Sequence, residues 1–303
     1  MSLRTRAATT PETWLFLALG GLLAVGISTG VSTPTSPAWI VVLAVSVAIA
    51  GLPHGALDPW VAWRAGLWRT RWGLAGFHLA YIALAALVVA AWYLAPGASL
   101  LVFLVLSGWH FAGDWRHALP GWARAAAGGA LLALPAWRWP LQVEQAFMLL
   151  SGTHGAAIAT WLSGAAPWFA AGMAAATLLA LRRSPTTALE LAGVAALALL
   201  LPPLPYFIVY FCALHSLRHL RLAALGADAA ARRRMAGVAA AYTVATLLLA
   251  AAAWPWLAGL GSPAQAPAAH LLKLVFIGLA ALTLPHMLVV MRSEHVETKA
   301  PKA

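Results

Sequence analysis

The sequence predicts an all-α fold, a polytopic bundle of transmembrane helices with about ten membrane crossings. Three observations predict it. Of the 303 residues, 62% are hydrophobic and only 9% are charged, against about 25% charged in an ordinary soluble domain. Mean hydropathy is +0.82. Apolar runs of roughly 18 residues or more recur along most of the chain, each long enough as a helix to cross about 30 Å of hydrocarbon. Backbone polar groups in lipid have to be satisfied internally, which leaves helices or closed barrels. The runs lack the residue-by-residue alternation of a barrel strand.

In chain order the expected spans are 14–31, 38–56, 73–95, 99–116, 141–162, 167–182, 187–202, 204–225, 235–257 and 268–291. The first follows Arg4 and Arg6 and superficially resembles a signal peptide, but the many spans behind it favour an uncleaved helix. The second is free of charge until it reaches GLPHGALDPW at residues 51–60. The runs 167–182 and 187–202 are short enough to be tilted or broken. A weaker run, 121–136, ends near Pro135. No hydrophilic segment is long enough for a separate soluble domain, so residues 1–303 are expected to form a single integral membrane domain.

The net charge of +11 follows the connections between spans. Arg4/Arg6, Arg64/Arg69/Arg71, Arg116/Arg124, Arg182/Arg183, the cluster from Arg218 to Arg234 and the tail from Arg292 alternate with charge-free connections near 32–37, 96–98, 203 and 258–267. Basic loops face the cytoplasm, so the charge is a matter of topology and not of nucleic-acid binding. An even number of crossings must separate the basic loops at 116–124 and 182–183, so one of the three intervening runs is not a full span. The run 121–136 is the expected interfacial or re-entrant piece. Both termini then lie inside, in a multi-pass protein of the cell inner (plasma) membrane. The single Cys212 excludes an internal disulfide and a cysteine-based metal site. Nothing in the sequence addresses oligomeric state.

This topology brings four histidines to comparable depth near the cytoplasmic ends of three spans: His54, His110, His215 and His219. They sit in GLPHGALD (51–58), SGWHFAGD (107–114) and YFIVYFCALHSLRHLR (206–221). The first two segments share the spacing His-x-x-x-Asp. On an unbroken helix that spacing puts Asp58 beside His54 and Asp114 beside His110, where a carboxylate fixes the imidazole tautomer of a metal ligand. His215 and His219 are themselves four apart. Imidazole suits iron, copper, zinc and nickel, and spacing alone does not choose among them. Ionisable groups inside a membrane are expensive and usually functional. Lone histidines such as His78, His117, His270 and His295 read instead as hydrogen-bonded interfacial residues. His154 and His286 stay open as an extra ligand, a group supporting a ligand, or a proton carrier. Lys273 reads as a snorkelling side chain, and Glu144 and Glu190 as interfacial.

Aromatic residues surround these histidines. Phe207 and Phe211 precede His215 and His219 at steps of four, Tyr206 and Tyr210 lie beside that stripe, and Trp109 and Phe111 flank His110. They are candidates to line an apolar tunnel, although aromatic residues in membrane helices more often serve as packing or belt residues.

At these segments the chain resembles the Brp/Blh family of membrane-bound β-carotene 15,15'-dioxygenases. The resemblance rests on G-x-P-H-G-A-x-D at Gly51 to Asp58, S-x-x-H-F at Ser107 to Phe111, and Y-F…H-S-x-R-H from Tyr210 to His219, in family order. It implies Fe(2+) held by His54, His110, His215 and His219, and cleavage of the central double bond of β-carotene or a related carotenoid by O2 to give retinal. The substrate would come from the membrane. Three other readings are weighed against it. A di-iron desaturase or hydroxylase commonly carries adjacent H-H pairs, and none occurs here. A haem-binding or metal-handling membrane protein would use the same histidines without cleaving a carotenoid, and an accessory membrane protein would use none of them.

Overall fold

The computed structural model describes residues 11–30, 37–259 and 267–299. Arg4, Arg6 and the connections at 31–36 and 260–266 lie outside these, as does the side chain of His295. Every regular element among the described residues is helical. In order they are α1 (Pro11–Ser28), α2 (Ala38–Arg64), α3 (Arg71–Leu94), α4 (Pro96–Ala112), α5 (Gly121–Arg138), α6 (Pro140–Ser151), α7 (His154–Arg183), α8 (Pro185–Leu200), α9 (203–223), α10 (Ala229–Gly259) and α11 (Pro267–Lys299). Proline opens many of them, where its missing N–H costs no intrahelical bond. Thr70 Oγ1 accepts the Gly73 N–H to start α3, and Ser184 Oγ accepts the Thr187 N–H to start α8.

Among the described residues, seven helices are long and apolar enough to cross a membrane: α1, α2, α3, α4 with its extension to Trp115, α7, α10 and α11. Their outward faces carry Leu22, Ile49, Leu79 and Trp168, each more than 70% exposed. So many exposed large apolar side chains fit a lipid surround. The structure redraws the expected spans 141–162 and 167–182. Gly152, at φ +65°, ends the 12-residue α6, and α7 then runs unbroken for 30 residues through Pro167. The expected weak run at 121–136 is an 18-residue helix, α5, that buries Ala123, Ala127, Ala130, Leu131, Ala133 and Leu134.

Two helices depart from α geometry near the histidines. In α2, residues Val47–Gly51 are π-helical, and the Leu52 N–H reaches back five residues to the Val47 carbonyl. Pro53 follows after Leu52; it supplies no N–H and its ring crowds the preceding turn, so the wider turn relieves the clash. A turn at Ala56–Leu57 then separates Leu52–Gly55 from a fresh helix, Asp58–Arg64. In α9 the π-helical stretch is Val209–Ser216.

The chain forms two compact units, one of residues 1–39 and 100–215, the other of residues 40–99 and 216–303. In the first, α5 and α7 make the most extensive pairing, α6 and α8 pack on α7, and α1 packs on α8. Small residues permit the closest approaches. A Cβ on Gly128 of α5 would stand 2.1 Å from the carbonyl oxygen of Gly108 in α4, so these backbones touch, two residues before His110. Glu190, expected at an interface, is instead buried in α8, where Trp115 Nε1 donates to it at 3.1 Å and Thr13 Oγ1 donates as well. In the second unit α11 packs on α3 and on the Asp58–Arg64 segment of α2. The Leu52–Gly55 turn meets both α10 and the Leu217–Ala223 end of α9. Arg64 Nη1 donates to the Ala223 carbonyl at 3.1 Å, tying those chain segments together.

Replacing Gly128 with Val should therefore separate α4 from α5 and lower the thermal transition in detergent, by an amount corresponding to roughly 1–3 kcal/mol or more. Gly21→Ala, where an added Cβ meets nothing within 4 Å, should leave the transition unchanged or slightly raised. Equal tolerance of both changes would refute the close-contact account.

Candidate metal centre

In the first unit the functional side chains come from α4 and α9. His110 and His215 turn their Nε2 atoms towards each other at 3.1 Å. His215 is fully buried, and its Nδ1 lies 3.1 Å from both carboxylate oxygens of Asp114. The Tyr210 hydroxyl donates to the same carboxylate at 2.7 Å. A carboxylate on Nδ1 selects the tautomer that leaves Nε2 with its lone pair. Two nitrogens about 2.1 Å from one ion and at right angles would sit about 3.0 Å apart, so the separation of this pair suits neighbouring ligands of a single ion.

The π-helical backbone of α9 explains how His215 is held. Hydrogen bonding from i to i+5 widens the turn, so residues four and five positions back both become neighbours. Phe211 stacks on His215 at 5.8 Å and 17°, and Tyr210 does so at 6.3 Å and 25°. Phe207 stacks on Phe211 at 5.2 Å, continuing the stripe expected from the spacing. Phe111 closes the group edge-on, 4.9 Å from the His215 ring. Tyr206 is buried and stacks on Tyr210 at 6.4 Å. Tyr210, expected to line a substrate tunnel, has no exposed surface and commits its hydroxyl to Asp114. Trp109, another expected lining residue, is 71% exposed. Each helical step turns the side chain by about 100°, so a helix that directs Phe111 inward directs Trp109 outward.

In the second unit three histidines cluster. His54 of α2 lies 5.8 Å from His219 of α9 and 5.2 Å from His286 of α11, ring centre to ring centre, and His219 lies 6.0 Å from His286. His54 Nδ1 contacts the Gly51 carbonyl, the last residue of the π-helical turn. Asp58 is 1% exposed and accepts from His286 Nδ1 at 2.7 Å and from the Tyr81 hydroxyl at 2.8 Å. That hydroxyl also stands 3.4 Å from the Leu282 carbonyl, so α2, α3 and α11 meet at one carboxylate.

Both carboxylates thus support a histidine on another helix, His215 for Asp114 and His286 for Asp58, where the i+4 spacing had pointed to the histidine preceding each. The break at Ala56–Leu57 takes Asp58 off the face that carries His54. Gly113–Trp115 is a 3-10 turn, which likewise rotates Asp114 away from α-helical register. Sequence reasoning left His286 among several open roles. A lone histidine in LPHML has no periodic partner, and only the packing of α11 against α2 shows its place. His78 is hydrogen-bonded, as expected of it, with Nδ1 on the Leu74 carbonyl at 2.8 Å and Nε2 2.7 Å from the Tyr242 hydroxyl.

A family model described as Beta-carotene 15,15'-dioxygenase matches residues 45–292, a stretch that contains His54, His110, His215, His219 and His286. A Beta-carotene 15,15'-dioxygenase from an uncultured marine bacterium, 66A03, is 32% identical, over 80% of this chain and 90% of that protein. A Probable beta-carotene 15,15'-dioxygenase Blh from Halobacterium salinarum is 28% identical, over 94% of this chain and 91% of that protein. No solved structure matches.

The carboxylate supports make a quantitative expectation. Asp114→Ala removes the group that orients His215 and should weaken metal binding by about 10–100-fold, measured by competition with a chelator. Tyr210→Phe removes one hydrogen bond to that carboxylate and should have the smaller effect. Metal affinity unaltered by Asp114→Ala would show that this carboxylate plays no part in holding a metal ligand.

Proposed function

This chain belongs to the β-carotene 15,15'-dioxygenase family, and on that premise we propose that it cleaves the central double bond of β-carotene, or of a closely related carotenoid, with O2 to give retinal within the bilayer. The observation that carries the proposal is the set of buried, carboxylate-supported imidazoles inside the matched segment. The proposed ligands of Fe(2+) are His54, His110, His215 and His219, the histidines of the three motifs. The donor chemistry suits that ion: all four are neutral nitrogen donors, and the observed Nδ1 contacts of His54 and His215 leave Nε2 as the coordinating atom. Bound there, iron supplies the redox centre at which O2 is activated against the polyene.

The protein's own residues supply position and environment. Asp114 holds the His215 ring, and Tyr210 holds Asp114. Phe207, Phe211 and Phe111 present flat apolar surface next to His215, suited to a conjugated chain that partitions into lipid. Their stacking fixes the wall, and a fixed wall decides which double bond stands at the histidines. Tyr206 extends that wall along α9.

The topology we propose retains ten crossings with both termini cytoplasmic, in the inner (plasma) membrane, and treats residues 1–303 as one membrane domain. The seven long helices are joined by α5, α8 and α9. The short α6, with 12 residues, spans only about 18 Å as a helix and takes the interfacial role that the sequence suggested for 121–136. The crossings α5 and α7 then satisfy the even count between the basic loops.

Expression in a β-carotene-producing bacterium is expected to bleach the orange colour while retinal appears by chromatography. Carotenoid that stays unchanged with iron and oxygen supplied would refute the activity. His54→Ala, His110→Ala, His215→Ala and His219→Ala should each purify with strongly reduced iron. An iron-replete, active His54→Ala protein would break the ligand assignment.

A further inference from the structure

The motif-derived ligand set omits one histidine of the second unit. We propose that His286 is a further ligand of the ion held by His54 and His219, so that this unit presents three imidazoles to the metal. The inference rests on the iron-dependent reading above and adds a residue to its site.

Position is the first argument. His286 lies 5.2 Å from His54 and 6.0 Å from His219 between ring centres, distances that bracket the 5.8 Å between His54 and His219. A donor nitrogen of His286 and one of His54 lie within 4.8 Å of each other. The second argument is the tautomer. His286 Nδ1 donates to Asp58 at 2.7 Å, so Nε2 carries the lone pair, and the anionic acceptor strengthens it as a donor to metal. His215 and Asp114 repeat this arrangement in the first unit.

The third argument concerns Asp58. Burying a carboxylate costs several kcal/mol in effective desolvation, and here it is 1% exposed with Tyr81 and His286 both directed onto it. A neutral hydrogen-bonding pair would join α2 to α11 without that penalty. A carboxylate directed at an imidazole, which in turn faces two more imidazoles, is the arrangement that metal ligands carry. As a neutral donor, His286 leaves the net charge of the ion unchanged and reduces the open coordination positions by one.

The test uses the full chain in detergent and reads the metal independently of turnover. His286→Asn retains an amide donor for Asp58 and lacks the second ring nitrogen. It should fold with a thermal transition near that of the unaltered protein, lose iron to a chelator at least tenfold faster, and change the visible ligand-field bands when loaded with Co(II). Iron retention and cobalt bands equal to those of the unaltered protein would overturn the inference. His54→Ala, measured in parallel, separates the two levels: iron retained there defeats the ligand assignment itself, whereas iron lost there with His286→Asn unaffected defeats only the role of His286. If the Asn variant is unstable, His286→Ala with added free imidazole replaces it. Recovery of the original cobalt bands supports ligation, and no response to imidazole in the folded protein counts against it.

Discussion

The structure depends on two hydrogen bonds between a buried carboxylate and a buried imidazole, Asp114 with His215 and Asp58 with His286. Neither partner is at home alone in an apolar interior, since an unpaired ion there is costly and a histidine without a fixed tautomer is an indifferent ligand. Together they cover that cost and aim a lone pair. The surrounding architecture keeps these pairs in place. Tyr210 and Tyr81 donate to the same two carboxylates, Phe111 and Phe211 wall off the first imidazole, and Gly108 and Gly128 let α4 and α5 approach closely.

The same logic accounts for the irregular backbone. In lipid a helix cannot simply be broken, because each freed N–H or carbonyl needs a partner. A π-helical turn changes direction while keeping the hydrogen-bond ladder closed. Both such turns among the described residues, Val47–Gly51 and Val209–Ser216, lead into histidines of the cluster. In α9 the wider turn lets two aromatic rings, four and five residues back, flank His215. An ordinary α-helix would place only one of them well.

Much of this was legible in the sequence. Continuous apolar runs identified the helical membrane class, and three motifs picked out His54, His110, His215 and His219. Periodicity failed where local geometry departed from an unbroken α-helix. The pairings of Asp58 and Asp114 were assigned on the assumption of continuous helices, and a turn in one case and a 3-10 segment in the other redirected both carboxylates. The α6–α7 boundary was placed at SGAAP, yet Pro167 is accommodated within α7 and the break falls at Gly152, whose positive φ no apolar pattern reports. Glu190 and His286 are single polar residues in apolar helices. Their meaning comes from partners 75 or more residues away, and no window along the chain contains those partners.

The π-helical stretch of α9 also bears on how relatives of this chain are aligned and engineered. A π turn holds one residue more than the α turn it replaces, so the register of everything downstream is stored as an extra amino acid and not as a side chain. Winding 209–216 as an α-helix with no residue removed would rotate His219 by about 100° or more, even with every named motif residue still present. Likewise, an alignment that pairs helices without allowing that extra residue would match Tyr206 before it and misplace His219 after it. In this stretch, residue count carries as much information as residue identity.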